Sequence, residues 1–416
     1  MHQIGSSRVW NSVRMAADRG GRMGPQGPVG GRKLNGEERF LCLASTATGQ
    51  DFLRQCVASK IHATLLTLDA LRGADWPQEA LEELATMPAG LTQEQITNTV
   101  AWMARGRRYN RIIALDEANL LCAAALREHL RVPGMGLTTA GYYRDRLAMR
   151  ISASESGFAV GEYVRILNYE EMRGFMERVE APWLLRPRRN DPQLATLRID
   201  SADQLWSELD RLGDLQSHYL LEEFVEGELF TVESVVNECS VVFSVAHRHS
   251  QPGGPASPEC VVTVDRGSRE WMELTALNAG LAPSLGMVRG ITHARFLRRF
   301  SDGKYAFDGI AAAVGGSLLD RVTEAGTGMN LWREWAKLEA AHLTGESYAP
   351  ADWRESFAGA ILWSDDEPGR AAWTRATQMD LPEIVERIDA NGQLGVVVRS
   401  ALHEQVNEIL SWLRRG

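Results

Sequence analysis

The first third of the chain alternates between short apolar runs and segments with helical spacing. Three continuous apolar runs have the length of buried parallel strands: Arg39–Ala44, His62–Leu68 and Arg111–Glu117. Apolar residues at helical spacing separate and follow them, over Glu79–Met87, Gln93–Ala104 and Ala118–His129. Strands that alternate with helices predict a parallel sheet covered by helices on both faces. We therefore expect a doubly wound α/β domain over residues 38–135, and its first strand is not followed by a GxGxxG dinucleotide fingerprint.

The rest of the chain contains both helical and strand patterns. Helical patterns are found at Gly141–Arg150, Ala202–Leu212, residues 317–344 and Glu404–Arg414. Strand patterns are found at Trp183–Pro187, residues 241–264, residues 294–313 and Leu394–Arg399. This order indicates an α+β arrangement in the central part of the protein.

Breaks in these patterns predict the domain boundaries. Residues 1–37 are rich in glycine and poor in apolar residues, which is typical of a disordered tail. After the α/β domain we expect a small subdomain over 136–220, a central subdomain over 221–340 and a C-terminal subdomain over 341–416.

Composition narrows the possible partners and compartment. The net charge of −9 argues against nucleic acid, which would require a basic surface. We find no run of about 18 apolar residues, so no membrane span is expected. The five cysteines are far apart and form no CxxC pair, which favours reduced thiols in a cytoplasmic protein.

The segment His218–Val236 is the most informative part of the sequence. An apolar run leads to Glu222 and Glu223, then to Phe224 and Val225. A Glu-Gly turn follows, and then an alternating strand begins. This strand, acidic connector and second strand have the shape of an adenine-binding hinge.

Together with Arg144–Arg150 and Ser301–Gly316, this hinge resembles the ATP-grasp superfamily, in the branch of L-amino-acid and dipeptide ligases. The resemblance covers about residues 38–340. It implies an ATP-grasp fold with an N-terminal doubly wound domain. It also implies a ligase that uses ATP and Mg²⁺ to activate a carboxylate as an acyl phosphate, which an amine then attacks.

The phosphate-binding positions differ from the pattern of that superfamily. Two lysines that reach the nucleotide phosphates in the family correspond to Arg146 and Arg186 here. Arginine also binds phosphate, and it does so bidentately. Only four of the 45 basic residues are lysines, so a general preference for arginine explains the exchange equally well. The loop 188–195, where the family carries a glycine-rich lid, has no glycine and contains Pro192.

The ribose and metal positions are altered as well. The position of a ribose-binding glutamate is Leu229, and the two positions of metal-binding glutamates are Arg295 and Gly309. A family arginine on the substrate side corresponds to Ala313. Asp308 is one residue away from the second metal position, and a step of one residue turns a side chain to the other face of a strand unless a bulge restores it.

These changes lead to two hypotheses. In the first, the protein has lost Mg·ATP-driven ligation, needs no cofactor or metal, and acts as a binding or partner protein or catalyses ATP-independent chemistry. Its ligand would be a small anionic molecule or peptide, and it can be a homodimer. In the second, it is an active carboxylate–amine ligase: Arg146 and Arg186 hold the ATP phosphates, Asp308 contributes to the Mg²⁺ site and the hinge Glu222–Val225 binds adenine.

Candidate catalytic residues under the first hypothesis are His247, His249 and Arg295. Arg295, with Arg146, Arg186 and Arg188, can form a cationic pocket for an anion; alternatively it points to solvent or pairs with a nearby acid. The two histidines, which we expect after the strand 241–246, can act as acid and base near neutral pH or have no role.

The acidic pair Asp116-Glu117 allows two interpretations, a ligand-binding position or the start of a helix. Asp116 and Glu117 end a parallel strand, where open α/β sheets place ligands. The same pair is also favoured at the start of a helix, because its charge complements the helix dipole.

Overall fold

The protein is described by a computed structural model that covers residues 38–190, 194–250, 257–390 and 392–415. The predicted tail 1–37, and 191–193 of the predicted lid loop, lie outside the described residues. The chain divides into two compact units. The first runs to Leu137 and includes Trp332–Ala349, and the second consists of Thr138–Leu331 and the residues from Pro350 onward.

The elements within the described residues have the following bounds. The strands are β1 (Arg39–Ala44), β2 (His62–Leu68), β3 (Leu81–Met87), β4 (Arg111–Ala114), β5 (Tyr163–Arg165), β6 (Trp183–Pro187), β7 (Leu197–Ile199), β8 (Tyr219–Glu223), β9 (Gly227–Asn237), β10 (Ser240–His249), β11 (Glu259–Thr263), β12 (Gly290–Arg299), β13 (Tyr305–Ala311), β14 (Phe357–Trp363), β15 (Ile384–Ala390) and β16 (Gln393–Ser400). The helices are α1 (Gln50–Ala58), α2 (Gln93–Met103), α3 (Leu120–Leu130), α4 (Leu137–Tyr142), α5 (Arg146–Glu155), α6 (Tyr169–Arg178), α7 (Ala202–Leu212), α8 (Arg269–Ser284), α9 (Leu319–Thr327), α10 (Leu331–Thr344), α11 (Glu367–Thr377) and α12 (His403–Arg415). Short 3-10 turns occur at Asp69–Leu71, Gln78–Ala80, Glu117–Asn119 and Gly213–His218.

The first unit is built on a parallel sheet. Its strands have the order β3-β2-β1-β4, and each described pair is parallel. The predicted strands Arg39–Ala44 and His62–Leu68 have the predicted bounds, and the α/β class is confirmed. Continuous apolar runs make these strands suitable for burial on both faces.

One predicted helix of the first unit is wrong. Glu79–Met87 forms the edge strand β3 instead, which pairs with β2 from Leu81 to Met87. Its Leu, Glu, Ala and Met residues favour helix in isolation, but pairing along a ready sheet edge outweighs so weak a preference.

Helix α10 packs within the first unit, although we expected residues 221–340 to form a central subdomain. The ring of Trp335 contacts that of Phe52 edge-on, with centroids 5.3 Å apart. Glu339 pairs with Arg111 at 3.0 Å, and both side chains are buried. The chain therefore returns to the first unit late in the sequence, which local pattern does not reveal.

The second unit contains two sheets. An eight-stranded sheet has the order β13-β12-β9-β10-β11-β14-β16-β15, and a four-stranded sheet has the order β5-β8-β6-β7. In the large sheet, α9 packs on the face that carries Val261, and α12 packs on the opposite face, which carries Val262. Sequence pattern predicted β6, α7, β16 and α12 to within a residue or two but missed β14, α11 and β15.

The single helix predicted at Gly141–Arg150 is divided into α4 and α5. Asp145 separates them and caps α5, its Oδ1 accepting hydrogen bonds from the backbone N–H groups of Leu147 at 3.0 Å and Ala148 at 3.4 Å. A capping aspartate of this kind satisfies donors that have no partner inside the helix.

Cysteine placement fits the expected free thiols. Within the described residues all five cysteines are unpaired; four are buried and Cys239 is exposed. No described helix combines the length and apolar character that crossing a membrane requires.

Gly359 on β14 leaves no room for a side chain. An added Cβ would lie 2.6 Å from Leu410 Cδ1 and 2.8 Å from the carbonyl oxygen of Val261. We expect Gly359→Ala to lower the free energy of unfolding by about 1–3 kcal/mol, because it overpacks the contact between β14 and α12. Thermal denaturation followed by circular dichroism measures the change. Gly316→Ala, with no atom within 4 Å, is the control, and equal melting temperatures for the two variants would contradict this packing.

Candidate functional site

The predicted hinge joins β8 to β9 in the second unit. Glu222 and Glu223 end β8 and point to opposite sides, as neighbours on a strand do. Glu223 faces β5, where its Oε2 accepts a hydrogen bond from the backbone N–H of Glu162 at 3.1 Å. The backbone N–H of Phe224 donates to the carbonyl of Pro182 at 3.3 Å, and Arg198 lies over the Phe224 ring. The connector is thus held on both sides.

A bulge in the hairpin of β12 and β13 decides where Asp308 points. Arg295 pairs with Gly309, but the next residue, Phe296, pairs with Phe307, so Asp308 is the extra residue on β13. Such an extra residue breaks the alternation of side chains along the strand. The bulge that the sequence analysis kept as an alternative is present, and the buried carboxylate of Asp308 faces the same group of arginines as Glu222.

Three arginines surround the carboxylate of Asp308. Oδ1 lies 2.9 Å from Nη1 of Arg186 and 3.4 Å from Nη2 of Arg150, and Oδ2 lies 3.0 Å from Nη2 of Arg295. The first two contacts are hydrogen bonds. The contact with Arg295 is an ion pair without hydrogen-bond alignment, and Nε of Arg295 has no acceptor among the described residues. Arg295 is therefore the most loosely held of the three.

Glu222 is shared by two of the same arginines. Its Oε1 accepts from Nε of Arg150 at 2.8 Å, and its Oε2 accepts from Nη1 of Arg186 at 3.1 Å. Arg150 also donates to the backbone carbonyl of Phe307. The side chains of Arg150 and Arg186 are 6% and 11% exposed, whereas that of Arg295 is 39% exposed. Only Arg295 of this group is substantially open to a ligand.

The cluster shifts the pKa values of Asp308 and Arg186 in opposite directions. Burial alone would raise the pKa of Asp308, but the positive charges of Arg295, Arg186 and Arg150, with that of Arg146, hold it well below its usual range. Burial lowers the pKa of the Arg186 guanidinium, yet Asp308 and Glu222 raise it above its ordinary value. Asp308 is therefore an anion and Arg186 a cation at neutral pH.

A cavity of about 280 Å³ opens beside this cluster. Its charged lining consists of Arg150, Arg186, Glu222, Glu223, Arg295 and Asp308. Its apolar lining consists of Leu184, Phe224, Val225, Leu229, Leu297, Ala306 and Phe307. Apolar walls with a few converging charged groups are typical of a small-molecule site. The predicted hinge residues Glu222 to Val225, together with Arg186 and Arg295, thus meet in one place.

The two other predicted arginines behave differently. Arg188 is held by a bidentate ion pair with Asp145, at 3.1 and 2.5 Å, which removes it from the predicted cationic pocket. Arg146 donates to Oδ1 of Asn190 at 2.8 Å and makes no ion pair with any described residue. Burial, and then the positive charge of Arg186, lower the pKa of Arg146 to about 10.

His247 and His249 lie inside β10, not in a loop after it, because β9 and β11 supply backbone partners through this segment. Both side chains are on the face that carries Arg295. His247 is fully buried and contacts Thr323 Oγ1 at 3.2 Å; burial, then the charges of His249 and His293, lower its pKa to about 3. The ring is therefore neutral near pH 7 and only weakly basic.

His249 keeps a polar environment. Its Nε2 lies 3.1 Å from Thr231 Oγ1, and its Nδ1 lies 3.5 Å from the half-exposed carboxylate of Glu259. A second histidine–acid contact on the same face was not among the predicted sites: His293 Nδ1 lies 2.5 Å from Oε1 of the fully buried Glu233. The alternation of polar residues along β9 and β12 was the available signal.

Asp116 in the first unit has a structural role. Its carboxylate accepts hydrogen bonds from the backbone N–H groups of Ser45 and Thr46, at the end of β1, and caps the turn at Asn119. The Asp116 carboxylate thus stabilises the loop between β1 and α1. This favours the interpretation of Asp116 as a helix-start residue over a role in ligand binding.

The donor set does not fit Mg²⁺. This ion needs several oxygen ligands in near-octahedral geometry, and carboxylates that bind it must be free to do so. Here Asp308 and Glu222 are already bound by guanidinium groups. In the described ranges, no group of three or more acidic, histidine or cysteine side chains could hold a metal ion.

Comparison with known proteins gives the fold. No family model matches the sequence. The L-arginine-specific L-amino acid ligase of Bacillus subtilis is 23% identical over 232 residues, which are 54% of this chain and 56% of that protein. The chain spans about half the length of this relative.

Solved structures match over nearly the whole chain. The L-amino acid ligase of Bacillus licheniformis has a TM-score of 0.70 at 15% identity and covers 90% of this chain and 96% of its own. N5-carboxyaminoimidazole synthetase of Staphylococcus aureus has a TM-score of 0.67 at 12% identity, with 91% and 98% covered. This protein has the ATP-grasp fold. The predicted resemblance to carboxylate–amine ligases is confirmed at the level of fold.

The charge of Asp308 predicts how the free energy of unfolding changes at acidic pH. Its pKa is depressed in the folded state, so its stabilising effect is complete above its unfolded value of about 3.9 and is lost as the pH falls below it. We expect Asp308→Asn to cost about 3–5 kcal/mol near pH 7, because three arginines lose a buried partner. The difference from wild type should shrink below about pH 4.

Chemical denaturation at pH 7, 5 and 3.5 measures this effect. Asp302→Asn, in the exposed turn between β12 and β13, is the control and should behave like wild type. A constant difference between Asp308→Asn and wild type across the three pH values would contradict the ion cluster.

His247 gives a second prediction. Because its pKa is lowered to about 3, its ring resonances should not shift between pH 5 and 8, whereas an ordinary histidine titrates near 6.5. Proton–nitrogen NMR of ring-labelled protein measures this, with the His247→Gln spectrum used for assignment. A midpoint near neutral pH would show that the ring reaches water.

Proposed function

We propose that this protein binds a small anionic ligand in the cavity of the second unit without a divalent cation, and that it has lost Mg·ATP-driven ligation. The single observation that carries the proposal is the pairing of Asp308 and Glu222 with Arg150, Arg186 and Arg295. Guanidinium groups take the place that a metal would otherwise have beside these carboxylates.

The ligand class follows from the lining of the cavity. Arg295 and Arg186 offer planar donors that suit a phosphate or carboxylate. The apolar walls, from Leu184 to Phe307, suit a flat ring. A metal-free nucleotide combines both features. Leu229 at the cavity wall offers no hydrogen bond to a ribose hydroxyl, which favours binding that depends on the anionic group.

The second candidate function is an ATP-dependent carboxylate–amine ligase. Two observations favour it: the bulge brings Asp308 to the cavity, and the curated relative is named as a ligase specific for L-arginine. Under this candidate, L-arginine is the amino acid to test first. We also propose that the protein is cytoplasmic. We propose that it forms a homodimer, because a biotin carboxylase domain among the solved structures with this fold is described as a dimer.

Calorimetric titration with ADP, in EDTA and then in excess Mg²⁺, separates the two functions. We expect the same dissociation constant, to within about twofold, in both conditions. We expect Arg295→Ala to weaken binding about tenfold or more, because a charge-assisted contact is lost. Arg269→Ala, which removes an exposed charge on α8, is the matched control and should bind like wild type.

Other results of this titration would contradict metal-free binding. Tightening by Mg²⁺, together with release of phosphate from ATP when L-arginine and a second amino acid are added, would establish the ligase. No binding of ADP in either condition would reject both nucleotide-binding functions.

A further inference from the structure

A second cavity lies on the opposite face of the large sheet. It has a volume of about 250 Å³ and is bounded by β10, β11 and α12, so we call it the α12 cavity. Arg248 pairs with Val262 on β11, and α12 packs on the face that carries Val262. Glu228 lines the α12 cavity, whereas the next residue, Leu229, lines the cavity beside Asp308. The two cavities are therefore on opposite sides of the same sheet.

Arg248 brings a positive charge to the α12 cavity that no described residue neutralises. Its side chain is half-buried, and it makes no ion pair, hydrogen bond or ring contact with any residue in the described ranges. Glu228 also lines the cavity, but its carboxylate is paired with Arg298. A guanidinium that has lost part of its water and has no partner is stabilised by an anion that accepts its hydrogen bonds.

Arg414 adds a second positive charge from α12. Burial raises the pKa of the Cys260 thiol, and the hydrogen bond with Ser250 and the charge of Arg414 act against this rise. The charge of Arg414 is therefore close to the part of the wall that Cys260 forms. Asn407 and Ser411 supply neutral hydrogen-bonding groups on the same helix.

The rest of the wall decides which anion fits. Val262 and Leu410 are 7% and 5% exposed and belong to one apolar cluster, so they offer a contact for a carbon skeleton. A planar guanidinium beside an apolar wall suits a carboxylate on a short apolar body. A phosphate group carries nearly two negative charges, and the carboxylate of Glu228 in the same wall disfavours the second one.

We propose that the α12 cavity is a binding site for a small organic carboxylate, with Arg248 pairing with the carboxylate and with Val262 and Leu410 in contact with the apolar body. This site goes beyond the proposed function and does not depend on it. It lies on the other side of the sheet, contains none of the residues around Asp308 and requires neither a nucleotide nor a metal.

Benzoate and butyrate are the probes, and benzamide, which has the ring of benzoate without its charge, is the neutral control. Methyl NMR of leucine- and valine-labelled protein locates the binding, with Leu410→Ile and Val262→Ile used for assignment. We expect the two carboxylates to shift the methyl resonances of both residues, with a dissociation constant of about 1 mM or lower. Benzamide at the same concentration should leave them unchanged.

Variants of the cavity test the assigned contacts. Arg248→Ala should weaken benzoate binding about tenfold or more, because a charge-assisted contact is lost. Arg248→Lys should weaken it less, because lysine keeps the charge but not the bidentate donors. Ser411→Phe should also weaken it, because the ring fills the cavity from an exposed position of α12. Arg269→Ala, which removes an exposed charge on α8, should bind like wild type.

The melting temperature of each variant checks its folding. If Arg248→Ala fails to fold, Arg248→Lys and Ser411→Phe decide the question. Weaker benzoate binding in the variants at positions 248 and 411, but not in Arg269→Ala or Arg295→Ala, supports the site.

Other outcomes reject it. If Arg295→Ala removes benzoate binding and Arg248→Ala does not, the anion occupies the cavity beside Asp308. Unchanged methyl resonances with both carboxylates, or an equal shift with benzamide, would show that the α12 cavity does not recognise a carboxylate. Tighter binding of inorganic phosphate than of benzoate at the same methyl groups would overturn the assigned ligand class.

Discussion

The arrangement of the second unit's cavity depends on the carboxylate of Asp308, which three arginines from α5, β6 and β12 approach. Each of these elements belongs to a different part of the unit, so one buried anion links all of them. Removing charge from water is costly and is compensated only by close and numerous partners. The cluster therefore connects one helix with strands of two different sheets.

Much of the architecture could be predicted because the relevant signals are local. Continuous apolar runs indicated β1, β2 and β6, and the spacing of Leu205, Trp206 and Leu209 indicated α7. The hinge was identified from the order of its apolar and acidic residues. These features need no knowledge of distant parts of the chain.

Other features depend on contacts that sequence pattern does not encode. Strand β3 forms because β2 offers a free edge, against the helix preference of its own residues. Arg150 was missed as a site residue, although its position four residues after Arg146 places both on one face of α5. The direction of Asp308 depends on one unpaired residue in a hairpin, and no local rule gave its position.

The bulge at Asp308 also matters for comparison between homologous proteins. The resemblance to ATP-grasp ligases places Gly309 where that superfamily has an acidic residue, so a comparison by sequence position alone counts the acid as absent. In space, a carboxylate one residue earlier reaches the same side of the sheet. Surveys that classify members of this fold as active or inactive from such positions would treat a register shift as a loss, so they should compare side-chain positions in three dimensions.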